Sequence, residues 1–152
     1  MNKPIWTVKL DPTALNEVHK NTAVERLGIV ITSVGNDFLT GLMPVNQHTI
    51  QPAGLLHGGA SVLFAETLGS AAAMHCIDPD TQLAVGLNVN ATHLRSVRQG
   101  AESVTGTARA IHLGRTLHVW EIDITDAENQ SICVARLTTT VVAKTSGEAI
   151  TQ

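Results

Sequence analysis

The sequence contains no tyrosine, and only two tryptophans and two phenylalanines stand among its 152 residues. A core cannot then rest on large aromatic side chains. It falls to Leu, Val, Ile, Ala and Met, a set that suits β-branched strands packed on a small-residue helix. Charge is scarce as well, at 15 % of residues with a net charge of −3. No basic stripe interleaved with aromatics appears, which argues against nucleic acid as a partner. Only two cysteines occur, Cys76 and Cys133, both in apolar runs. They do not make a disulfide framework, and a reduced, cytoplasmic protein is expected. The opening MNKPIWTVKL lacks the apolar core of an export signal. No repeat, low-complexity tract or linker divides the chain, so a single domain over residues 1–152 is expected.

Motifs for several chemistries are missing too. Without a G-x-S-x-G elbow, serine-hydrolase chemistry has no anchor. No Walker-type glycine loop offers backbone amides to a phosphate. The seven histidines include no H-x-x-x-H pair and the cysteines lack zinc spacing, so neither a metal nor a cofactor is expected. Ala60 to Ile77 approaches the length of a membrane span. It carries Glu66 at its centre, which costs roughly 2.5–3.5 kcal/mol in a bilayer, and no Lys/Arg cluster flanks it, so no membrane association is expected.

What the chain does have is a shift of hydrophobic period along its length. Asp11 is a suitable N-cap and Pro12 a suitable first residue for a short helix from Pro12 to about Lys20, within an N-terminal extension over 1–26. LGIVITSVG and FLTGLMPV read as strands joined by a GNDF hairpin turn. A polar loop, NQHTIQPAGLL, leads to a long apolar helix from about Gly58 to Cys76, which DPDT ends. The period then becomes two. Leu83, Val85, Leu87, Val89 and Ala91 fall on one face of a strand, Asn88, Asn90 and Thr92 on the other. SVTGTARAIHLG, RTLHVWEIDITD and SICVARLTTTVVA complete a four-strand meander, and a polar tail over 144–152 is expected to fray. One buried helix against an antiparallel sheet is an α+β arrangement, with the sheet curled round the helix.

The most apolar stretch, QPAGLLHGGASVLFAETLGSAAAMHCI at residues 51–77, holds a single carboxylate, Glu66. A helix apolar nearly all round is a buried helix, and burying a carboxylate is costly unless something pairs with it or uses it. Two readings are open. Glu66 reaches solvent or an arginine, or it serves as a nucleophile or general base in a dry cleft. Ser70, one turn on, shares its face. It is either a packing residue beside Gly69, Ala71 and Ala72 or a hydroxyl that orients water. The glycines of LLHGG serve a tight turn, or they let a ligand approach the backbone closely. The first amides of a helix lack internal acceptors and carry the positive end of its dipole, so the Gly58 N–H is a candidate donor to a developing oxyanion. Yet Gly58 and Glu66 stand eight residues apart, roughly 12 Å along a helix axis, too far for one chain to bring both to one reacting group. Two such helices, antiparallel about a two-fold axis, would bring Glu66 of one chain beside Gly58 of the other.

QPAGLLHGGASVLFAETLGSAAA resembles the signature of hotdog-fold acyl-CoA thioesterases, in the subgroup with a glutamate on the central helix. GLNVNATHLRSVRQG and HLGRTLHVWEIDITD are similar to that subgroup's later strands, and the likeness runs from about Leu27 to Val142. It resembles most the bacterial thioesterases of menaquinone and enterobactin biosynthesis, which hydrolyse aromatic acyl thioesters. The resemblance implies a long helix wrapped by a curved antiparallel sheet of about six strands. It implies hydrolysis of an acyl-CoA thioester, with an acyl-carrier-protein thioesterase of proofreading role as the alternative. It also implies a homodimer with one continuous sheet, doubled to a homotetramer.

Residue by residue, the resemblance makes Glu66 the nucleophile or general base, Gly58 the oxyanion donor and Ser70 a water-orienting hydroxyl. It sets His57 near the thioester carbonyl or the leaving sulfur, and Gln51 on the acyl carbonyl or its loop. His93 and Arg95 share a strand face, and the resemblance puts that segment beside the substrate channel. Arg95 and Arg115, with Arg98 and Arg109, are candidates for coenzyme A phosphates, because guanidinium forks match phosphate oxygens. Phe64 and Met74 are expected to line the acyl cleft. Hotdog hydratases carry an Asp…His pair at the helix and its approach, which this chain lacks. A non-catalytic acyl-CoA-binding relative would be expected to lose the helical carboxylate, which is present.

Overall fold

The computed structural model describes residues 3–145. Two short helices, α1 (Pro12–Glu17) and α2 (Ala23–Arg26), precede the hairpin of β1 (Val30–Val34) and β2 (Phe38–Pro44). The long helix α3 (Gly58–Met74) follows, and then β3 (Gln82–His93), β4 (Ser103–Leu113), β5 (Leu117–Thr125) and β6 (Ser131–Ala143). The six strands form one antiparallel sheet in the order β1-β2-β4-β5-β6-β3. The architecture is the expected α+β hotdog arrangement, a sheet that curls round one helix.

The sheet forms where apolar residues alternate. Along β5, His118, Trp120, Ile122 and Ile124 are buried while Leu117, Glu121 and Asp123 face out. Its inner face holds α3 through Phe64, Ala65, Leu68, Ala72 and Ala73, all fully buried. Burial of each large side chain contributes about 1.5–3 kcal/mol. Close approach depends on a cross-strand pair of glycines, Gly41 of β2 and Gly106 of β4. A Cβ at Gly106 would lie 2.6 Å from Leu68 and 2.8 Å from Phe64. Phe64 is thus a core residue locked against the sheet, and the expectation that it lines the acyl cleft is wrong.

Other expectations are corrected in part. The N-terminal helix stops at Glu17 rather than Lys20, because Asn21 turns the chain at φ 60° and Thr22 caps a second helix. The last four strands are not a meander. β4, β5 and β6 are, but β3 pairs with β6 and forms the far edge of the sheet. A helix with two exposed flanks needs a strand on each side, so β3 crosses over. The alternation expected along β3 breaks at Leu87, where a bulge interrupts the register between Gly86 and Asn88. One extra residue reverses which side chains face in. Ala84, Val89 and Ala91 pack on the core, while Val85 and Leu87 are 46 % and 60 % exposed. Of the expected polar tail, Lys144 is tied back through its N–H to the Thr81 carbonyl at 2.9 Å, and residues 146–152 lie outside the described part.

The segment before α1 also packs on the inner face. The Trp6 ring stacks on Trp120 with centroids 6.5 Å apart and planes at 1°. Trp6 Nε1 donates to the Gly35 carbonyl at 2.7 Å, and the Thr7 N–H donates to the His75 carbonyl at 2.8 Å. Among the described residues, no helix is long and apolar enough to cross a membrane.

Candidate active site

The loop before α3 delivers a helix start with a fixed imidazole. The N-cap is His57, whose Nδ1 accepts the Gly59 N–H at 2.8 Å. In the neutral ring this leaves Nε2 as a donor directed away from the helix. The carbonyl of His57 takes the N–H groups of Ala60 and Ser61. The Gly58 N–H finds no acceptor among the described residues. Gln51 closes its own turn by accepting the Ala53 N–H on Oε1. His93, at the end of β3, lays its ring against the Gly58 backbone, so that a Cβ at Gly58 would come 2.8 Å from Nε2. Arg95 Nη1 donates to the Ser131 carbonyl at 2.9 Å. Gln51, Gly58, His93 and Arg95 together line a cleft of about 360 Å³.

Glu66 and Ser70 lie elsewhere. Every second pair of residues along α3 is buried, and the pairs between them, including Glu66–Thr67 and Ser70–Ala71, are half-buried. This second face opens on a groove of about 590 Å³ that Glu66, Ser70 and Met74 line together. The carboxylate of Glu66 reaches β3, where Oε1 would lie 2.9 Å from a Cβ at Gly86. Absence of a side chain at Gly86 is what gives the carboxylate its place. The opposite wall comes from Leu15, Val18, His19 and Val24 of the N-terminal extension. The sequence reading assigned that extension no part in a site. Leu15, Val18 and His19 at helical spacing are the signal that was available.

Two further arginines lie away from both cavities. Arg115 sits in the β4–β5 turn, whose neighbour Thr116 bonds to Thr140 and Val141. That end of the sheet pairs with Val85 and Ala84 at the start of β3, whereas His93 and Arg95 are at the other end. Eight to nine strand steps separate Val85 and Ala84 from His93, roughly 26–30 Å, so one chain does not group Arg115 with Arg95. Arg109 is engaged on the outer face, 3.6 Å from Asp37 and 4.7 Å from the centre of the Phe38 ring.

The arrangement offers a carboxylate, a hydroxyl one turn away, an unspent helix-start amide and two imidazoles. Burial pushes the Cys76 thiol up to about 12, and Cys133 is raised by burial and by the Asp123 charge. Both stay protonated near neutral pH and make poor nucleophiles. Among the described residues, no three His, Cys, Asp or Glu side chains are grouped to hold a metal ion.

Residues 53–133, which span the helix start, the whole of α3 and β3 to β5, match the family described as the thioesterase superfamily. The chain belongs to the thioesterase superfamily. Relatives support the assignment along nearly the whole thioesterase chain. The proofreading thioesterase EntH of Cronobacter sakazakii is 45 % identical over 91 % of this chain and 98 % of its own length. The 1,4-dihydroxy-2-naphthoyl-CoA hydrolase of Escherichia coli K12 is 43 % identical, over 91 % of this chain and 99 % of its own. Among solved structures, a mutant thioesterase from Pseudomonas aeruginosa superposes with a TM-score of 0.89 at 47 % identity, covering 92 % of this chain and 99 % of that one. This protein is therefore a thioester hydrolase of hotdog fold.

Proposed function

We propose that the protein hydrolyses aromatic acyl-CoA thioesters to the free acid and coenzyme A, in a site that two subunits build together. One observation carries this reading. Glu66 and the unspent Gly58 amide, both suited to acyl transfer, open on different cavities of the same chain. They stand roughly 12 Å apart along α3, whereas donor and attacking group must each lie within about 3 Å of one thioester. A two-fold axis that sets two α3 helices antiparallel removes the conflict. The outer edge of β3 supports such an axis. It is a twelve-residue edge with Val85 and Leu87 exposed, and an open apolar edge of that length invites pairing with a second copy. A doubled, tetrameric assembly extends the same reading.

In the proposed reaction, the thioester carbonyl lies on the Gly58 N–H of one subunit and faces Glu66 of the other. As general base, Glu66 takes a proton from water while the oxygen adds to the thioester carbon, with Ser70 orienting that water. As nucleophile, it adds its own oxygen and is later released by water. In either case the negative charge moves to the carbonyl oxygen, where helix-start amide and dipole stabilise it. Collapse breaks the carbon–sulfur bond, and the thiolate of coenzyme A leaves and takes up a proton. His57 offers its Nε2–H to the carbonyl or the sulfur, with Gln51 supporting the loop. His93 and Arg95 line the approach of the substrate.

The aromatic preference rests on the 1,4-dihydroxy-2-naphthoyl-CoA hydrolase and on the apolar lining of the groove, Met74 included. A second reading, release of misloaded acyl groups from a carrier protein, is favoured by the likeness to EntH. Both use the same pantetheine arm, and a cytoplasmic setting suits either. Mixed subunits test the shared site. Glu66→Ala and Gly58→Pro chains, each checked for folding and assembly, are both expected to be inactive. After exchange, a mixed dimer keeps one intact composite site, and activity returns toward half of the native value per mixed dimer. Confirmed exchange with no recovered thiol release refutes the model.

A further inference from the structure

We infer that His75 sets the acyl specificity of the groove, by presenting a fixed hydrogen-bond acceptor that selects acyl groups carrying a distal hydroxyl. This rests on the reading of the Glu66 groove as the acyl site. Three observations meet at this residue.

First, His75 closes α3 as its C-cap and lines the same groove as Glu66 and Ser70. Second, its ring is not free to choose a tautomer. Nδ1 lies 2.7 Å from the Ala71 carbonyl, and the backbone N–H of His75 is directed instead to the Ala72 carbonyl. A carbonyl oxygen only accepts, so Nδ1 carries the hydrogen, and Nε2 of the neutral ring is an acceptor. Third, the residue is clamped from the other side. Its carbonyl accepts the Thr7 N–H at 2.8 Å, and the Thr7 hydroxyl is shared between the Ile77 carbonyl at 2.9 Å and that of His75 at 3.1 Å. The acceptor is therefore preorganised, and a ligand that uses it does not bear the cost of ordering the ring.

The spacing suits a substituted aryl group. Glu66 and His75 are nine residues apart, roughly 13.5 Å along the axis and about half a turn round it, so they stand at opposite flanks of the groove. An elongated aromatic acyl chain with its thioester carbon at Glu66 runs along the groove toward His75, and a hydroxyl at its far end is the group that reaches the ring. The groove that His75 lines is largely apolar, through Leu15, Val18, Val24 and Met74 among others. An acceptor in such surroundings discriminates by leaving a cost when unpaired. The other imidazole of the groove, His19, projects from the opposite wall and serves as the control.

The test compares 4-hydroxycinnamoyl-CoA with cinnamoyl-CoA by thiol release at pH 8, using wild type, His75→Leu, His75→Gln and His19→Leu. Wild type is expected to favour the hydroxylated thioester about tenfold in kcat/KM. His75→Leu brings the ratio near one, His75→Gln restores part of it because a carboxamide oxygen still accepts, and His19→Leu leaves the ratio in place. The ratio within one variant does not depend on how much enzyme folds. A wild-type ratio near one overturns the role of His75 while leaving the composite-site reading intact, as does a ratio that survives in His75→Leu. Failure to turn over either aryl thioester, alongside turnover of linear acyl-CoAs, overturns the aryl reading and this inference with it.

Discussion

Replacing Gly86 with alanine should separate catalysis from folding. A Cβ at this position would lie 2.9 Å from Glu66 Oε1. Ordinary contact is about 3.5 Å, so the carboxylate must retreat by roughly 0.5 Å or swing away. Gly86 does not adopt positive φ, and alanine fits the backbone there. The displaced atom ends a flexible side chain, and a moderately off-rotamer χ costs about 0.5–1.5 kcal/mol. Stiffening the unfolded chain offsets this by about 0.4–1 kcal/mol. The melting temperature should therefore move by no more than a few degrees. The chemistry is less forgiving, since a misplacement of about 1 Å costs on the order of a hundredfold. We expect kcat for acyl-CoA hydrolysis to fall between about tenfold and a hundredfold, roughly 1.4–2.7 kcal/mol at the transition state. KM should change little, because the groove is otherwise intact. Thiol release measured at several substrate concentrations reads both quantities, and calorimetry checks the fold. A Gly86→Ala enzyme with kcat within twofold of native would show that the position of the Glu66 carboxylate over β3 does not matter to turnover.

The converse pattern is expected at Gly69, where a Cβ would lie 2.6 Å from Leu137 Cδ2. Gly69→Ala should overpack the core and cost about 1–3 kcal/mol, seen as a lower denaturation midpoint; an unchanged midpoint would refute the tight fit. Stability should also fall with acid. Burial holds both His118 and His19 below the usual value of 6.5, so between that value and their folded values the unfolded chain binds more protons. Stability from these groups is complete above pH 6.5 and is lost as pH drops below it. Melting curves from pH 7.5 to 5.5 should show the decline, and His118→Leu should lessen its slope; a full slope in that variant would assign the effect to other groups.

Much of the fold was legible because period-two alternation is loud in β2, β4, β5 and β6, and because α3 begins at a glycine pair and ends before Asp-Pro. The failures have physical causes. In β3 one bulged residue, Leu87, inverts the alternation downstream, and a bulge leaves no mark on composition. Phe64 was misplaced because a helix apolar on all sides gives no sign of which face meets the sheet. Only Gly41 and Gly106, far away in sequence, decide that. Helical spacing puts Glu66 and Ser70 on one face, and position alone puts His57 and Gly58 at the helix start. Arg115 was grouped by residue type alone, and type does not report which end of a sheet a turn occupies. The facing wall was missed because Leu15, Val18 and His19 stand in a segment whose role is purely tertiary.

The stacked indoles have an optical consequence. The chain has no tyrosine and only these two tryptophans, and Trp6 lies parallel to Trp120 across 6.5 Å. Apart from the weak bands of two phenylalanines, the near-ultraviolet absorption is thus concentrated in one coupled pair. One member belongs to the segment that clamps the carbonyl of His75, and the other belongs to the sheet. Near-ultraviolet dichroism and emission therefore report the seating of that leading segment, with no label attached, and separately from the unfolding of the sheet measured in the far ultraviolet.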